Sequence, residues 1–216
     1  MGHQPILLPL TETAALPVEA GHVPAGASAV AITSANALRH ASRDLIARLA
    51  SLPCHSVGRR TAEAAREAGF LSVSEGPGDA EAMAGGIAAA LAGRTVVYLC
   101  GRVRLALFEQ RLAAAGIRIH AVETYDTRAI GYADEAVLAR LSAQPVDAAL
   151  LFSAKAAVAM RGLTNRPALR KAFEATGFLA LSERVAAAFG DDAGTAIRVA
   201  ERPEEEALLA LLRAEP

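Results

Sequence analysis

Residues 29–40 read AVAITSANALRH, and residues 148–160 read AALLFSAKAAVAM. In each, an apolar run ends at a hydroxyl (Thr33-Ser34, Ser153) and Ala-rich helical sequence follows at once. A strand that feeds directly into a helix is half of a βα unit, and repeated βα units build parallel sheets with helices on both faces. The pattern extends outward from both stretches. Strands are expected at Pro5–Leu10, Ala29–Thr33, Cys54–Val57, Leu71–Val73, Thr95–Leu99, Ile117–Thr124, Asp147–Phe152, Phe178–Leu181 and Ala196–Val199. Amphipathic helices are expected at Ala35–Ala50, Arg60–Ala68, Ala80–Leu91 and Arg102–Ala115. Gly69 and Gly116 stand where a helix ends in a left-handed residue. Pro203 suits the first position of a final helix, with Glu204–Glu206 in its first turn, where the helix dipole favours acids.

So many strands exceed what one sheet of a 216-residue chain comfortably holds. The segments around Ser34–Phe70 and Ser153–Phe189 follow one plan: strand, serine, helix, strand, polar turn, short Ala-rich helix. The polar stretches Leu10–Thr13 and Asp126–Arg128 end strand-like runs and suit a paired two-stranded crossing between two units. The expected organisation is a discontinuous α/β domain of residues 1–11 plus 127–216 and an inserted α/β domain of residues 12–126.

Composition narrows the function. Hydrophobic residues make up 53% of the chain, aromatics 4%, with no Trp, so burial rests on Ala, Leu and Val. The net charge of −1 offers no bulk attraction to nucleic acid or an anionic membrane, so an anionic ligand must be held locally. No apolar run approaches a membrane span, and MGHQPILLPLTET lacks the layout of a signal peptide, so a cytoplasmic location is expected. Cys54 and Cys100 lie far apart without a CxxC and read as buried thiols of a reducing compartment.

Common catalytic motifs are absent. There is no GxxxxGK[ST] and no GxSxG, and GPGDAE (residues 76–81) stops before the third glycine of a dinucleotide fingerprint. His3, His22, His40, His55 and His120 are scattered without metal-ligand spacing, so no metal is expected. What remains is a set of strand-to-helix junctions: Thr33-Ser34, Val57–Thr61, Cys100–Arg104, Phe152-Ser153 and Leu181-Ser182. In an open parallel sheet such junctions share the carboxyl edge, where helix N-termini expose amides and partial positive charge to anions. Singly, each serine also suits an ordinary helix N-cap, Arg59, Arg60, Arg102 and Arg104 suit solvated surface positions, and Tyr98 and Cys100 suit core.

In this order the motifs resemble those of uroporphyrinogen-III synthases. The resemblance is carried by ITSAN (32–36), SVGRRTAEAAREAGF (56–70), VVYLCGRVRLALFEQRLAAAGIRIHAVETYDT (96–127), LLFSAKAAV (150–158), LALSERVAAAF (179–189) and IRVAERPEEEALLALLR (197–213). It runs from about Pro5 to the C-terminus and is nearest to bacterial, α-proteobacterial-type members. It implies two flavodoxin-like, doubly wound domains joined by a two-stranded β linker, with the active site in the cleft between them. It implies a cofactor-free, cyclising hydro-lyase of heme biosynthesis. Hydroxymethylbilane loses its hydroxyl as water, ring D is inverted through a spiro intermediate, and the ring closes as uroporphyrinogen III. That substrate carries eight carboxylates, which suits the anion-accepting junctions.

By resemblance, Thr33, Ser34, Gly58, Thr61, Gly101, Arg102, Ser153, Ala154 and Ser182 would hold acetate and propionate arms through hydroxyls, backbone amides and one guanidinium. Tyr125 matches the family tyrosine proposed to help the hydroxyl leave as a general acid. A monomer is expected, with a small-molecule substrate received from the preceding pathway enzyme and no nucleic-acid partner. Set beside a complete doubly wound half, about one N-terminal βα unit is expected to be missing before Pro5. Glu183-Arg184-Val185 also stands where many relatives carry further hydroxyls. The alternative reading is therefore a shortened, non-catalytic tetrapyrrole- or anion-binding paralogue.

Overall fold

The computed structural model describes residues 2–18, 21, 23–190 and 197–213. It shows a two-part α/β protein with parallel sheets. One compact unit is Thr13–Arg128, and the other joins Met1–Glu12 to Ala129–Pro216.

In Thr13–Arg128 the strands β1 (Thr11–Ala15), β2 (Ala27–Ile32), β3 (Cys54–Ser56), β4 (Val73–Glu75), β5 (Thr95–Gly101) and β6 (Arg118–Ala129) form one sheet, ordered β1-β6-β5-β2-β3-β4. From β6 to β4 every neighbouring pair is parallel. At the edge, Leu16 N–H donates to Thr124 O (2.9 Å) and Ile130 N–H to Leu10 O (3.0 Å), so β1 runs against β6. The chain thus enters this unit along β1 and leaves it along β6, two paired strands.

The central strands are apolar on both faces because both are covered. Alternation by two sends Val30, Ile32, Val97, Leu99 and Val122 to one side, against Leu38 of α1 (Ala35–Arg39), Leu45 and Leu49 of α2 (Arg43–Leu49) and Ala65 of α3 (Arg59–Ala68). Ala29, Ala31, Val96, Tyr98 and Cys100 face the other side, against Met83 and Ile87 of α4 (Ala80–Leu91) and Phe108 and Leu112 of α5 (Ala106–Ala114). Each fully buried Leu or Ile contributes about 1.5–3 kcal/mol. Counted within the unit, the parallel strands stand in the order 3-2-1-4-5, a doubly wound sheet. The helix after β2 goes to the first face and the helix after β5 to the second, which makes the β2/β5 boundary the switch point.

The second unit carries β7 (Ala148–Leu151), β8 (Gly177–Ala180) and β9 (Ile197–Val199), parallel and in that order. Leu151, Phe178 and Ala180 pack with Ala157 and Met160 of α7 (Ala154–Thr164), Val185 and Phe189 of α9 (Glu183–Phe189) and Val137 of α6 (Asp134–Arg140). Leu179 faces the opposite side, against Leu208 of α10 (Glu205–Ala210).

Several expected boundaries move, each for a local reason. Pro5–Leu10 is not a strand: Pro5 and Pro9 lack amide donors, and pairing begins at Thr11. Side chains hold this segment instead, Tyr132 donating to Pro9 O (2.8 Å) and Arg140 to Leu7 O (3.1 Å). The helix expected over Ala35–Ala50 breaks at His40–Ser42, where Ser42 caps a new helix through Leu45 N–H (3.2 Å). Leu71 is exposed and β4 starts only at Val73. Arg102–Leu105 is loop, because Arg102 N–H still bonds Tyr125 O (2.8 Å) across the sheet end. Pro203 precedes the last helix, which Glu204 caps and Glu205-Glu206 begin. Gly69 is left-handed (φ 109°), as expected of a helix end. Ala196 of the last strand, and His22, lie outside the described residues.

Candidate functional site

At the carboxyl edge of the six-stranded sheet, Thr33-Ser34 follows β2 and Gly101-Arg102 closes β5, so both flank the switch point where doubly wound sheets bind ligands. Tyr98 is buried, yet its hydroxyl lies 2.8 Å from Thr33 Oγ1, so the junction is tied to the core beneath it. Burial pushes the Tyr98 phenol up to about 12, and the ring leans on Phe108 at 5.0 Å between centroids. A phenol so placed is a structural hydrogen-bond partner, not an acid for neutral pH.

Tyr125 reaches this edge through an irregularity that no sequence pattern announces. Cys100 pairs with Glu123, but Gly101 pairs with Tyr125, leaving Thr124 as the extra residue of a bulge in β6. Strict alternation would put Tyr125 on the face opposite Val122. The bulge returns it to that same face, where it packs half-buried against the Val30–Val122 cluster. Thr124, fully buried, donates to Ala37 O (2.8 Å), which pins the bulge to α1. The ring then lies directly over Gly101: a Cβ there would stand 2.7 Å from Tyr125 Cζ. Only glycine leaves that room. His40, at the end of α1, stacks with Tyr125, the ring centroids 5.9 Å apart and the planes inclined by 26°. His40 Nε2 is 2.8 Å from Thr13 Oγ1.

The remaining expected residues fall on junctions of two kinds. Ser34 and Ser153 are working N-caps, accepting from Asn36 N–H (3.3 Å) and Ala156 N–H (3.2 Å). Ala154 opens α7 behind Ser153. Ser182 stands in extended conformation before α9, but its hydroxyl makes no capping bond. Gly58 caps α3 without a side chain, leaving the first amides of that helix without intrahelical acceptors. A Cβ at Gly58 would meet Gly78 Cα at 3.1 Å, and one at Gly76 would meet Ser56 O at 2.5 Å. The glycines of GPGDAE therefore serve backbone-on-backbone packing against SVGRR, with Gly78 N–H donating to Val57 O (2.6 Å). Thr61 is buried at 5% exposure, its side chain turned into the unit.

Arg102 is exposed and already engaged, with Asp126 at 3.3 Å and Glu123 at 3.7 Å. Those carboxylates also meet Arg128 (3.7 Å) and Arg104 (3.8 Å), and Arg104 meets Glu109 (2.9 Å). The result is a surface row of alternating charge, whose individual pairs contribute about 0–1 kcal/mol. Its arginines are screened by their own neighbours. Cys54 and Cys100 are free, buried thiols, each pushed up to about 12 by burial, so neither is a nucleophile. Sequence reasoning missed His40, Thr13 and Thr124. The first two come from elements far apart in the chain, and a bulge leaves no periodic trace.

The class that the fold defines is a doubly wound α/β protein whose sheet edge carries helix starts and a held tyrosine, with neither a phosphate-loop motif nor a nucleotide fingerprint in its sequence. The family model described as Uroporphyrinogen-III synthase HemD matches residues 1–210, and the chain belongs to that family. Uroporphyrinogen-III synthetase from Helicobacter pylori matches with a TM-score of 0.72 at 20% identity, over 94% of this chain and 90% of that one. A mutant uroporphyrinogen III synthase from the extremely thermophilic bacterium Thermus thermophilus matches with a TM-score of 0.57 at 20% identity, over 98% and 89%. No curated protein matches the sequence significantly. The family's reaction is the closure of hydroxymethylbilane to uroporphyrinogen III, with inversion of ring D and loss of water, a lyase step of heme biosynthesis. Nothing observed favours the non-catalytic reading.

Proposed function

We propose that this chain closes hydroxymethylbilane with Tyr125 as the general acid at the departing hydroxyl, and that strand-to-helix junctions hold carboxylate arms. The single observation that supports the role of Tyr125 is its placement: a bulge, a glycine and a stacked imidazole all act to hold one phenol at the switch-point edge. Proton donation assists loss of water, and the azafulvenium left behind is attacked by the substituted carbon of ring D. The resulting spiro intermediate then reopens and closes in the inverted sense. The cation forms readily and also closes unaided to the uninverted isomer, so the protein's larger task is to hold the chain in the inverting conformation. Backbone amides following Gly58 and Ser153, the hydroxyl of Ser182 and the surroundings of Thr33, Ser34, Thr61, Gly101 and Ala154 would serve that end. Arg102 would exchange Asp126 for a substrate carboxylate.

The reading extends to a monomer in the cytoplasm that takes its labile substrate from the preceding pathway enzyme. Free thiols at Cys54 and Cys100 support a reducing compartment. Among the described residues no helix is long and apolar enough to cross a membrane. The test of the acid is Tyr125→Phe, assayed on hydroxymethylbilane with separation of isomers I and III. The expected loss in kcat is about a hundredfold, the lower end for a general acid, with isomer III still formed. Full activity and full isomer selectivity would sink the assignment.

A further inference from the structure

We propose that His40 is a positioning residue for the reaction: it holds the Tyr125 ring in its working orientation, and Thr13 in turn holds His40. The proposal rests on the assignment of Tyr125 as the acid. Three contacts from three separate elements carry it. Tyr125 projects from β6 above Gly101, whose missing side chain leaves the ring room on one side. The imidazole, at the C-cap of α1, meets the ring in a stacked arrangement at 5.9 Å and 26°. The far nitrogen of that imidazole, Nε2, bonds Thr13 Oγ1 at 2.8 Å, and Thr13 lies on β1, the strand beside β6. The contacts therefore close a loop, from the strand bearing the tyrosine through its neighbour and the histidine back to the ring.

The need for such a device follows from the bulge. A residue placed beside a bulge has left the regular ladder, so neighbouring side chains no longer fix its rotamer by simple alternation. A phenol has two free torsions, and a proton donor displaced by about 1 Å loses up to a hundredfold in rate. A flat, aromatic, half-buried side chain bonded at its far edge is suited to remove that freedom. An aliphatic one is not, since it offers neither the stacking face nor the anchor. His40 donates no proton to substrate in this scheme, and its effect passes through Tyr125.

The experiment is a double-mutant cycle on the full chain, with His40→Ala and His40→Phe each made alone and with Tyr125→Phe. Initial rates on hydroxymethylbilane give kcat and KM, and far-ultraviolet circular dichroism reports folding. His40→Ala should lower kcat on the order of tenfold, within the range for misplacement, with KM changed less than about twofold. His40→Phe, which keeps the stacking face but loses the bond to Thr13, should restore only part of that loss. In the Tyr125→Phe background His40→Ala should cost nothing further. Because the chain has no Trp and three Tyr, tyrosine emission is a clean second readout. His40→Ala should alter the contribution that disappears in Tyr125→Phe. Wild-type kcat in His40→Ala overturns the proposal, as does an equal loss with and without Tyr125, which would mean that His40 acts elsewhere. Full activity in Tyr125→Phe is a different failure: it removes the acid itself, and the positioning role with it.

Discussion

The strand–serine–helix pattern occurs on both sheets, and the two copies sit in different surroundings. In Thr13–Arg128 the junction is wired downward into packed structure: Thr33 to buried Tyr98, Thr124 to the α1 backbone, Tyr125 over Gly101 and against His40. In the other unit the two junction serines differ. Ser153 bonds Ala156 N–H, and Ser182 bonds no helix amide at all. The first edge is built to hold one group still. At the second, Ser153 is spent on its own helix, and Ser182 leaves its helix without a side-chain cap. A recurring sequence motif thus marks the carboxyl edge of each sheet, while the packing beneath it decides how firmly the residues there are held.

The sharpest way to break this contrast, after removal of the Tyr125 hydroxyl itself, is Gly101→Ala. The new methyl would collide with the Tyr125 ring at 2.7 Å. The ring is the far end of a side chain and can swing away, so the fold should lose only about 1 kcal/mol, the low end for overpacking. The phenol would no longer be held, and kcat should fall by about tenfold to a hundredfold. A variant that keeps full kcat would show that the held ring is not needed. A variant that simply unfolds would show that the glycine serves packing alone.

A middle-sized effect separates Ser182 from Ser153. Ser153→Ala removes a cap and should cost about 1 kcal/mol in urea denaturation. Ser182→Ala removes no cap, so its stability should match the parent. If Ser182 receives a substrate carboxylate, its KM should instead rise about threefold to tenfold, the worth of one lost hydrogen bond. The reverse outcome, lost stability at Ser182 with unchanged KM, would remove it from the binding edge.

Much of this was legible in the sequence, for physical reasons. Parallel strands buried on both faces write themselves as apolar runs, so β2, β5 and β8 were placed closely from AVAI, VVYLC and FLA. Hydroxyls and glycines at the ends of those runs marked Thr33, Ser34, Ser153, Ser182 and Gly101 as edge residues. Pro5–Leu10 misled because apolar content says nothing about missing amide donors. Thr61 was readable as a junction hydroxyl, but which way a first-turn side chain faces depends on packing that only the fold supplies. His40 and Thr13 were illegible: they are 27 residues apart, and neither carries a pattern. In sequence GPGDAE looks like a broken nucleotide motif, whereas its glycines answer to the SVGRR loop.

The smallest expected effect concerns His55, which lies on β3, three strands from the β6 that carries Tyr125, and has no part in the arrangement around Tyr125. Burial holds its imidazole below the ordinary value of 6.5, because the charged form is penalised inside the unit. As pH falls through about 6.5 the unfolded chain takes up a proton that the folded one still refuses. The unfolded state then binds more protons, so stability must decline with falling pH until the lower folded value is passed. Above about 6.5 both states are neutral there and the contribution is flat. Urea midpoints measured from pH 7.5 to 5.0 should therefore drop less in His55→Asn than in the parent. The Tyr125→Phe protein should follow the parent, since that residue lies outside this linkage. An identical slope in His55→Asn and the parent would show that His55 is solvated in the folded protein, and that the interior side of β3 is more open than its burial implies.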